Sequence, residues 1–215
     1  LTTVISIIFF WVYRPYNMLG LVGIILAFWI MSNILSMLVP QLILKNKKFI
    51  QDDMPKYSNG MIIAHLGIAL LILGITGSSI WQKEKIIRMK INDKTEIHNY
   101  NIVFKEINKI AGPNYFALRG NFWVYNKKKK IISELKPENR FYPVANNSTT
   151  EVSIHTNLLR DLYIVLGEGD INEGWIVRIY YNPLVIWIWI GAFMIFLGGL
   201  FSIKSNLKFI KRLTL

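Results

Sequence analysis

MIIAHLGIALLILGITGSSIW, residues Met61–Trp81, is 21 residues of almost unbroken apolar sequence. A helix needs about 20 such residues to cross a bilayer. The stretch holds one ionisable side chain, His65, about one turn in from its start. An ionisable group inside a spanning helix is costly, so it is normally paired, liganded or turned to a cavity. A neutral imidazole is also among the commonest metal and haem ligands. Gly60, Ala64, Gly67, Gly74 and Ser78 follow steps of three, four and seven and so share one helix face. Small residues on one face let a neighbouring helix, or a flat macrocycle, approach the backbone closely. His65 lies about 100° round the helix from Ala64, at the edge of that face. The helix alone leaves two readings of His65 open: a hydrogen-bonded residue beside a packing stripe, or a ligand.

Composition points the same way. Of 215 residues, 53% are hydrophobic, and the excess is gathered into blocks, which marks a membrane protein. The absence of cysteine excludes disulfides, thiolate metal sites and thiol exchange by this chain. The net charge of +12 is spread in a way that reads as topology rather than nucleic-acid binding. Gln82–Tyr181 carries +5, the loop Lys45–Lys56 +2, the tail Lys204–Arg212 +4 and Arg14 +1. Short basic loops stay on the cytoplasmic side, and no nucleic-acid-binding motif is present.

Worked outward from Met61, the chain divides as follows. Residues 1–13 are apolar but too short to span. They read as the end of a helix whose beginning is missing; the chain starts with Leu rather than Met, for which a non-standard start codon is the other reading. Residues 18–44 form the next span, with Gly20 and Gly23 suited to close packing and Pro40 expected to kink or end it. Residues 45–59 are a basic cytoplasmic loop. Residues 61–81 run outward, 82–181 are extracytoplasmic, 183–203 return, and 204–215 are a basic cytoplasmic tail. Trp81, Tyr180, Tyr181, Trp187 and Trp189 fall at the outer interface, where aromatic rings prefer to sit. His65 then lies in the inner half of the membrane.

Gln82–Tyr181 reads as β. Lys85–Ile91, Ile102–Ile107, Tyr115–Tyr125, Ile131–Leu135, Glu151–Ile154, Leu162–Gly167 and Trp175–Tyr180 are rich in β-branched and aromatic residues. Turn chemistry separates them, including Lys136-Pro137 and Asn146-Asn147. Lys127–Lys130 reads as a solvated hairpin tip. The expected fold is an integral membrane α-helical protein with an inserted all-β extracytoplasmic domain, a small antiparallel barrel or sandwich.

Six blocks then recur in a familiar order: HLGIALLILGITGS at His65–Ser78, GPNY at Gly112–Tyr115, KPENRFYP at Lys136–Pro143, TTEVSI at Thr149–Ile154, DLYIVLG at Asp161–Gly167 and NPLVIWIWIGAFMIFLGG at Asn182–Gly199. Together they resemble the C-terminal part of the CcmF family, the haem-lyase subunits of the multi-component cytochrome c maturation system, and the related nitrite-reductase-type subunits. The resemblance implies a share in joining haem to the CxxCH cysteines of apocytochrome c, at the bacterial plasma membrane or the mitochondrial inner membrane. The implied partners are a haem chaperone, a thiol-handling subunit that binds the apocytochrome, apocytochrome c itself and membrane lipid. It also implies a haem b in the membrane held by two histidines, one of which maps onto His65. That haem would relay electrons to the haem being attached.

The family's tryptophan-rich external segment, the histidines flanking it and the second haem ligand match nothing here. The resemblance therefore implies an N-terminal CcmF-type segment or chain that supplies them. His98 and His155 match no family ligand and read as surface residues. Arg119, Arg140, Arg160 and Arg178 suit haem propionates by their bidentate geometry, although surface ion pairs are the commoner fate. No residue is assigned to the thioether chemistry. A rival reading is a non-enzymatic membrane scaffold whose external β-domain docks a partner protein. A transporter is disfavoured by the lack of an internal repeat.

Overall fold

The computed structural model describes residues 18–43 and 59–213, with side chains described over 18–39 and 59–203. The short apolar segment 1–13, the lysines of the 45–56 loop and the basic side chains after Ile203 lie outside the described residues. The chain forms two compact units, one helical and one composed of Trp81–Pro183.

The helical unit has α1 (Met18–Ile43), α2 (Asn59–Ile80) and α3 (Val185–Leu213). Each contains a stretch long and apolar enough to cross a membrane: Met18–Val39, Asn59–Ile80 and Val185–Ile203. Lipid offers the backbone no partner, and a helix satisfies its own N–H and C=O groups. Helix α1 runs on through Pro40 to Ile43. Helix α3 runs on to Leu213, through the stretch read as a tail.

Glycine sets how these helices pack. A Cβ on Gly67 would meet the Gly191 carbonyl oxygen at 2.7 Å, and one on Gly191 would meet the Gly67 carbonyl oxygen at 2.6 Å. One turn pair along, a Cβ on Gly60 would meet the Gly198 oxygen at 2.5 Å, and one on Gly74 would meet Ile188 at 2.8 Å. Helices α2 and α3 thus touch backbone to backbone, the small-residue geometry of membrane interfaces. Gly77 also packs closely, against Leu184. On the other side, Gly20 packs on Ile80 and Gly23 on Thr76. The buried positions Gly20, Ile24, Ala27 and Ile34 of α1 step by four, three and seven, as one face of a helix does.

The second unit is an antiparallel β-sandwich. Strands β1 (Lys83–Met89), β10 (Gly174–Pro183), β9 (Arg160–Asp170) and β8 (Ser153–Thr156) form one sheet, in that order. The other runs β2 (Lys94–Ile97), β3 (Tyr100–Ala111), β4 (Phe116–Asn126), β6 (Glu138–Tyr142) and β7 (Asn147–Glu151), with β5 (Ile131–Leu135) also on β4. Alternation along β9 turns Leu162, Ile164 and Leu166 inward, and β10 does the same with Val177 and Ile179. They meet Ile102, Phe104, Phe122 and Val124 of the facing sheet. Phe104 stacks on Phe122 at 4.5 Å and takes Trp175 edge-on at 5.7 Å, the offset geometries aromatic quadrupoles favour.

Several expectations change in detail. Glu151–Ile154 is not one strand: the chain changes sheets at Val152, so β7 pairs with β6 and β8 pairs with β9. Strands β2 and β6 were not expected. Strand β6 has polar Glu138 and Arg140 where alternation would look for apolar residues, and an ion pair replaces the hydrophobic contact. Tyr180 and Tyr181 are strand residues: Tyr180 stacks on Tyr163 at 4.6 Å and Tyr181 packs against the sandwich core.

Candidate functional site

His65 sits on the face of α2 turned away from the glycine seam. Along α1, close approach is secured at Gly20 and Gly23, near one end of the pair. Further along, α1 presents Trp29, Asn33 and Met37 instead of glycine, and the two helices leave a groove between them. The groove measures ≈ 330 Å³ and is walled by Trp29, Asn33, Ile34, Met37, Met61 and His65, among others. That volume is at the low end of ligand pockets, about 300–1,000 Å³.

The imidazole is held by a local bond. His65 Nδ1 lies 2.8 Å from the Met61 carbonyl oxygen, one turn back. A carbonyl can only accept, so Nδ1 carries the proton and donates it. In a neutral ring Nε2 is then left with its lone pair. Nε2 has no hydrogen-bond partner among the described residues. Metal-bound histidines are normally fixed in this way, one ring nitrogen on a carbonyl and the other on the metal. The donor set fits one axial position of a haem. No cluster of three or more His, Asp or Glu able to hold a metal ion occurs among the described residues.

The other two histidines belong to the β unit. His98 sits in the two-residue turn between β2 and β3 with φ of 52°, and its ring lies 4.5 Å from that of Tyr181. His155 is half-buried on β8. Both are pushed below the usual imidazole value: His98 by burial and then by Lys83 and Lys127, His155 by burial and then by Arg160, against an upward pull from Asp161.

The four arginines considered for propionates have separate fates. Glu138 takes Arg119 Nη2 on Oε1 at 2.5 Å and Arg140 Nε on Oε2 at 2.8 Å. Burial would raise the Glu138 carboxyl, but the hydrogen bonds from Arg140 and Arg119, and their charges, outweigh it and hold the group below the usual range. Arg178 is exposed on β10. Arg160 is no surface residue at all: it is 2% exposed, donates from Nε to the Tyr100 hydroxyl at 2.9 Å and from Nη1 to the His155 carbonyl at 2.9 Å, and stacks on the Tyr100 ring at 4.3 Å. Sequence reasoning missed this because the partner ring is sixty positions away.

Comparison with known proteins places the molecule. The family model described as CcmF C-terminal beta-sandwich matches residues 80–183. The cytochrome c-type biogenesis protein CcmF of Escherichia coli (strain K12) is 40% identical over 141 residues, 66% of this chain and 22% of that protein. CcmF of Pseudomonas aeruginosa is 39% identical over 140 residues, 65% of this chain and 21% of its own. The cytochrome c-type biogenesis protein NrfE of Haemophilus influenzae is 31% identical over 144 residues, 67% of this chain and 22% of its own. This chain spans about a fifth of the length of these relatives. A solved structure of cytochrome c heme lyase CcmF superposes with a TM-score of 0.64 over 88% of this chain and 31% of that one; at 18% identity the likeness is one of fold. With membrane-length helices on either side of the β-sandwich that names the family model, and relatives matching across two thirds of its length, the chain belongs to the CcmF family.

Proposed function

We propose that this chain serves cytochrome c biogenesis as the C-terminal part of a haem lyase, and that His65 is one axial ligand of a membrane haem b. The observation that carries the reading is the bond from His65 Nδ1 to the Met61 carbonyl oxygen, which leaves Nε2 unengaged at an apolar groove. That a relative is a cytochrome c-type biogenesis protein, and that the chain superposes on a cytochrome c heme lyase, supports it. The second axial ligand comes from outside these 215 residues, from an N-terminal CcmF-type segment or chain.

The residues of this chain divide the work. His65 binds and orients. Trp29, Ile34 and Met37 exclude water from the groove, which lowers the local dielectric. The glycine seam commits the opposite face of α2 to α3 and so keeps the His65 face free. A bis-histidine haem supplies one-electron redox chemistry when bound. The β-sandwich lies on the periplasmic or intermembrane-space side, where the haem chaperone, the thiol-handling subunit and apocytochrome c are met.

Assembled with the N-terminal part, the protein is expected to show a six-coordinate, low-spin b-type spectrum. His65→Ala should lose the haem or turn it high-spin, and imidazole added to His65→Gly should partly restore it. His98→Ala and His155→Ala should leave the spectrum unchanged. A spectrum indifferent to His65→Ala refutes the ligand assignment.

A second reading, a scaffold that docks a partner through the sandwich, draws on one feature. Phe116 and Phe141, 62% and 41% exposed, line an apolar groove of ≈ 500 Å³ on β4 and β6. A scaffold needs no haem, so the same spectrum separates the two.

A further inference from the structure

The β-sandwich holds a second recess with chemistry opposite to that of the His65 groove. It measures ≈ 490 Å³ and is lined by Tyr100, Asn126, Lys127, Lys128, Asn157 and Arg160, among others. Three chain segments that are distant in sequence meet there: the start of β3, the β4–β5 turn and the residues just before β9. None of the lining residues is acidic.

Arg160 is the anchor. A charged group taken out of water is expensive unless it is paired. Arg160 is 2% exposed, yet its hydrogen-bond partners are a tyrosine hydroxyl and a backbone carbonyl, both neutral. A guanidinium has five N–H donors in a planar fork. Two donor atoms are engaged, Nε and Nη1, and Nη2 is given no acceptor among the described residues. No ion pair involves Arg160, Lys127 or Lys128 among the described residues.

The neutral lining is donor-rich as well. Asn126 Oδ1 accepts from the Lys130 N–H at 2.9 Å, and Asn157 Oδ1 accepts from the N–H groups of Leu159 and Arg160 at 2.8 Å. With those oxygens engaged, each amide has its N–H groups left to offer. The Tyr100 oxygen accepts from Arg160, so its own hydrogen is directed elsewhere. The Asn99 amide can turn either end to a ligand; the other free side-chain groups named here are donors and the charges are all positive, which suits an acceptor-only ligand.

Burial is the first cause that lowers both neighbouring histidines, and cations in and beside the recess add to it. Lys83 and Lys127 add to burial in lowering His98, and Arg160 adds to burial in lowering His155; Asp161, the next residue along, pulls the other way on His155.

We propose that this recess binds a small oxyanion, a carboxylate or phosphate group, seated on the Arg160 fork and closed over by Lys127 and Lys128. The geometry suits an Arg–oxyanion pair, the strong, charge-assisted class of hydrogen bond. The site is independent of the haem reading, since it uses neither His65 nor any helix.

The test uses the whole chain in detergent, with inorganic phosphate and succinate as separate probes and sodium chloride at matched ionic strength as control. By linkage, an anion bound near a histidine raises the pKa of that histidine. Phosphate or succinate should therefore shift the His155 and His98 titrations upward in NMR, saturably and beyond the chloride control. The probe that saturates at lower concentration identifies carboxylate or phosphate as the ligand group. Lys127→Ala combined with Lys128→Ala, on an exposed turn, should keep the fold and weaken that probe by about tenfold or more. Arg160→Lys keeps a charge but loses the fork, and should weaken it further. Shifts no larger than those in chloride, or an unchanged affinity in the double lysine variant, would overturn the proposal.

Discussion

Gly67 and Gly191 face each other so closely that neither has room for a methyl group: a Cβ on Gly67 would lie 2.7 Å from the Gly191 oxygen, and the reverse contact would be 2.6 Å. Both obstacles are backbone, which cannot rotate aside. Gly67→Ala should therefore force α2 and α3 apart and cost about 1–3 kcal/mol, the usual range for overpacking. Gly199, one residue from a seam glycine, has nothing within 4 Å of its Cβ position. Gly199→Ala should be neutral or slightly stabilising, since alanine is the better helix former. Thermal unfolding of the two variants in the same detergent checks the contrast.

The His65 groove allows a test that leaves the histidine untouched. Ile34 lines the groove from α1. Ile34→Trp should fill it and exclude a haem while the His65–Met61 bond persists. The expected outcome is loss of the b-type spectrum in the assembled complex, at a cost of about 1–3 kcal/mol in stability because Ile34 is buried. Retention of the full spectrum would mean that the groove is not where the haem plane lies.

The Glu138 clamp gives the sandwich an acid-sensitive joint. Its carboxyl is held below the ordinary value of 4.5 by Arg140 and Arg119. A depressed carboxyl stabilises the fold fully above its unfolded value, and that contribution fades as pH falls through the folded one. Unfolding of the β unit, followed by Trp175 fluorescence in the whole chain, should grow easier below about pH 4.5. Glu138→Gln should cost about 1–3 kcal/mol at neutral pH, because it turns one of two buried acceptor oxygens into an NH2 donor facing an arginine. It should also flatten this part of the pH dependence.

Sidedness is directly testable because the chain has no cysteine of its own. Lys128→Cys, on the β4–β5 turn, should react with a membrane-impermeant thiol reagent in intact cells, and Lys208→Cys should not. The opposite pattern would invert the topology.

The helices and the glycine seam were legible because both follow the 3.6-residue period, which one sequence displays in full. What was not legible was which neighbour the seam faced, or that Gly77 packs on Leu184, a residue more than a hundred positions later. In the sandwich, β9 and β10 announced themselves by alternation. Strand β6 did not, because Glu138 and Arg140 satisfy each other by charge at positions where the pattern looks for apolar side chains. The break at Val152 was hidden for a different reason: TTEVSI reads as one β segment, and only the competing registers with β6 and β9 split it. His65 was visible as a residue out of place in an apolar run. Its tautomer was not, because that is set by the Met61 carbonyl. The recess around Arg160 was invisible, its cations scattered over sequence that reads as ordinary surface.

The glycine seam also bears on how an insertion of this size can be carried. Two points of the chain, just before and just after the sandwich, are brought together twice over. In the helical unit Gly77 packs on Leu184. In the β unit Lys83 pairs with Tyr181. Closing a loop of about a hundred residues costs entropy that rises only slowly with length, and that cost is incurred once. Whichever closure forms first shortens the search for the other. The sandwich is thereby tethered like a bead on a clasp, and different sandwiches could be grafted onto the same helix pair without loosening it.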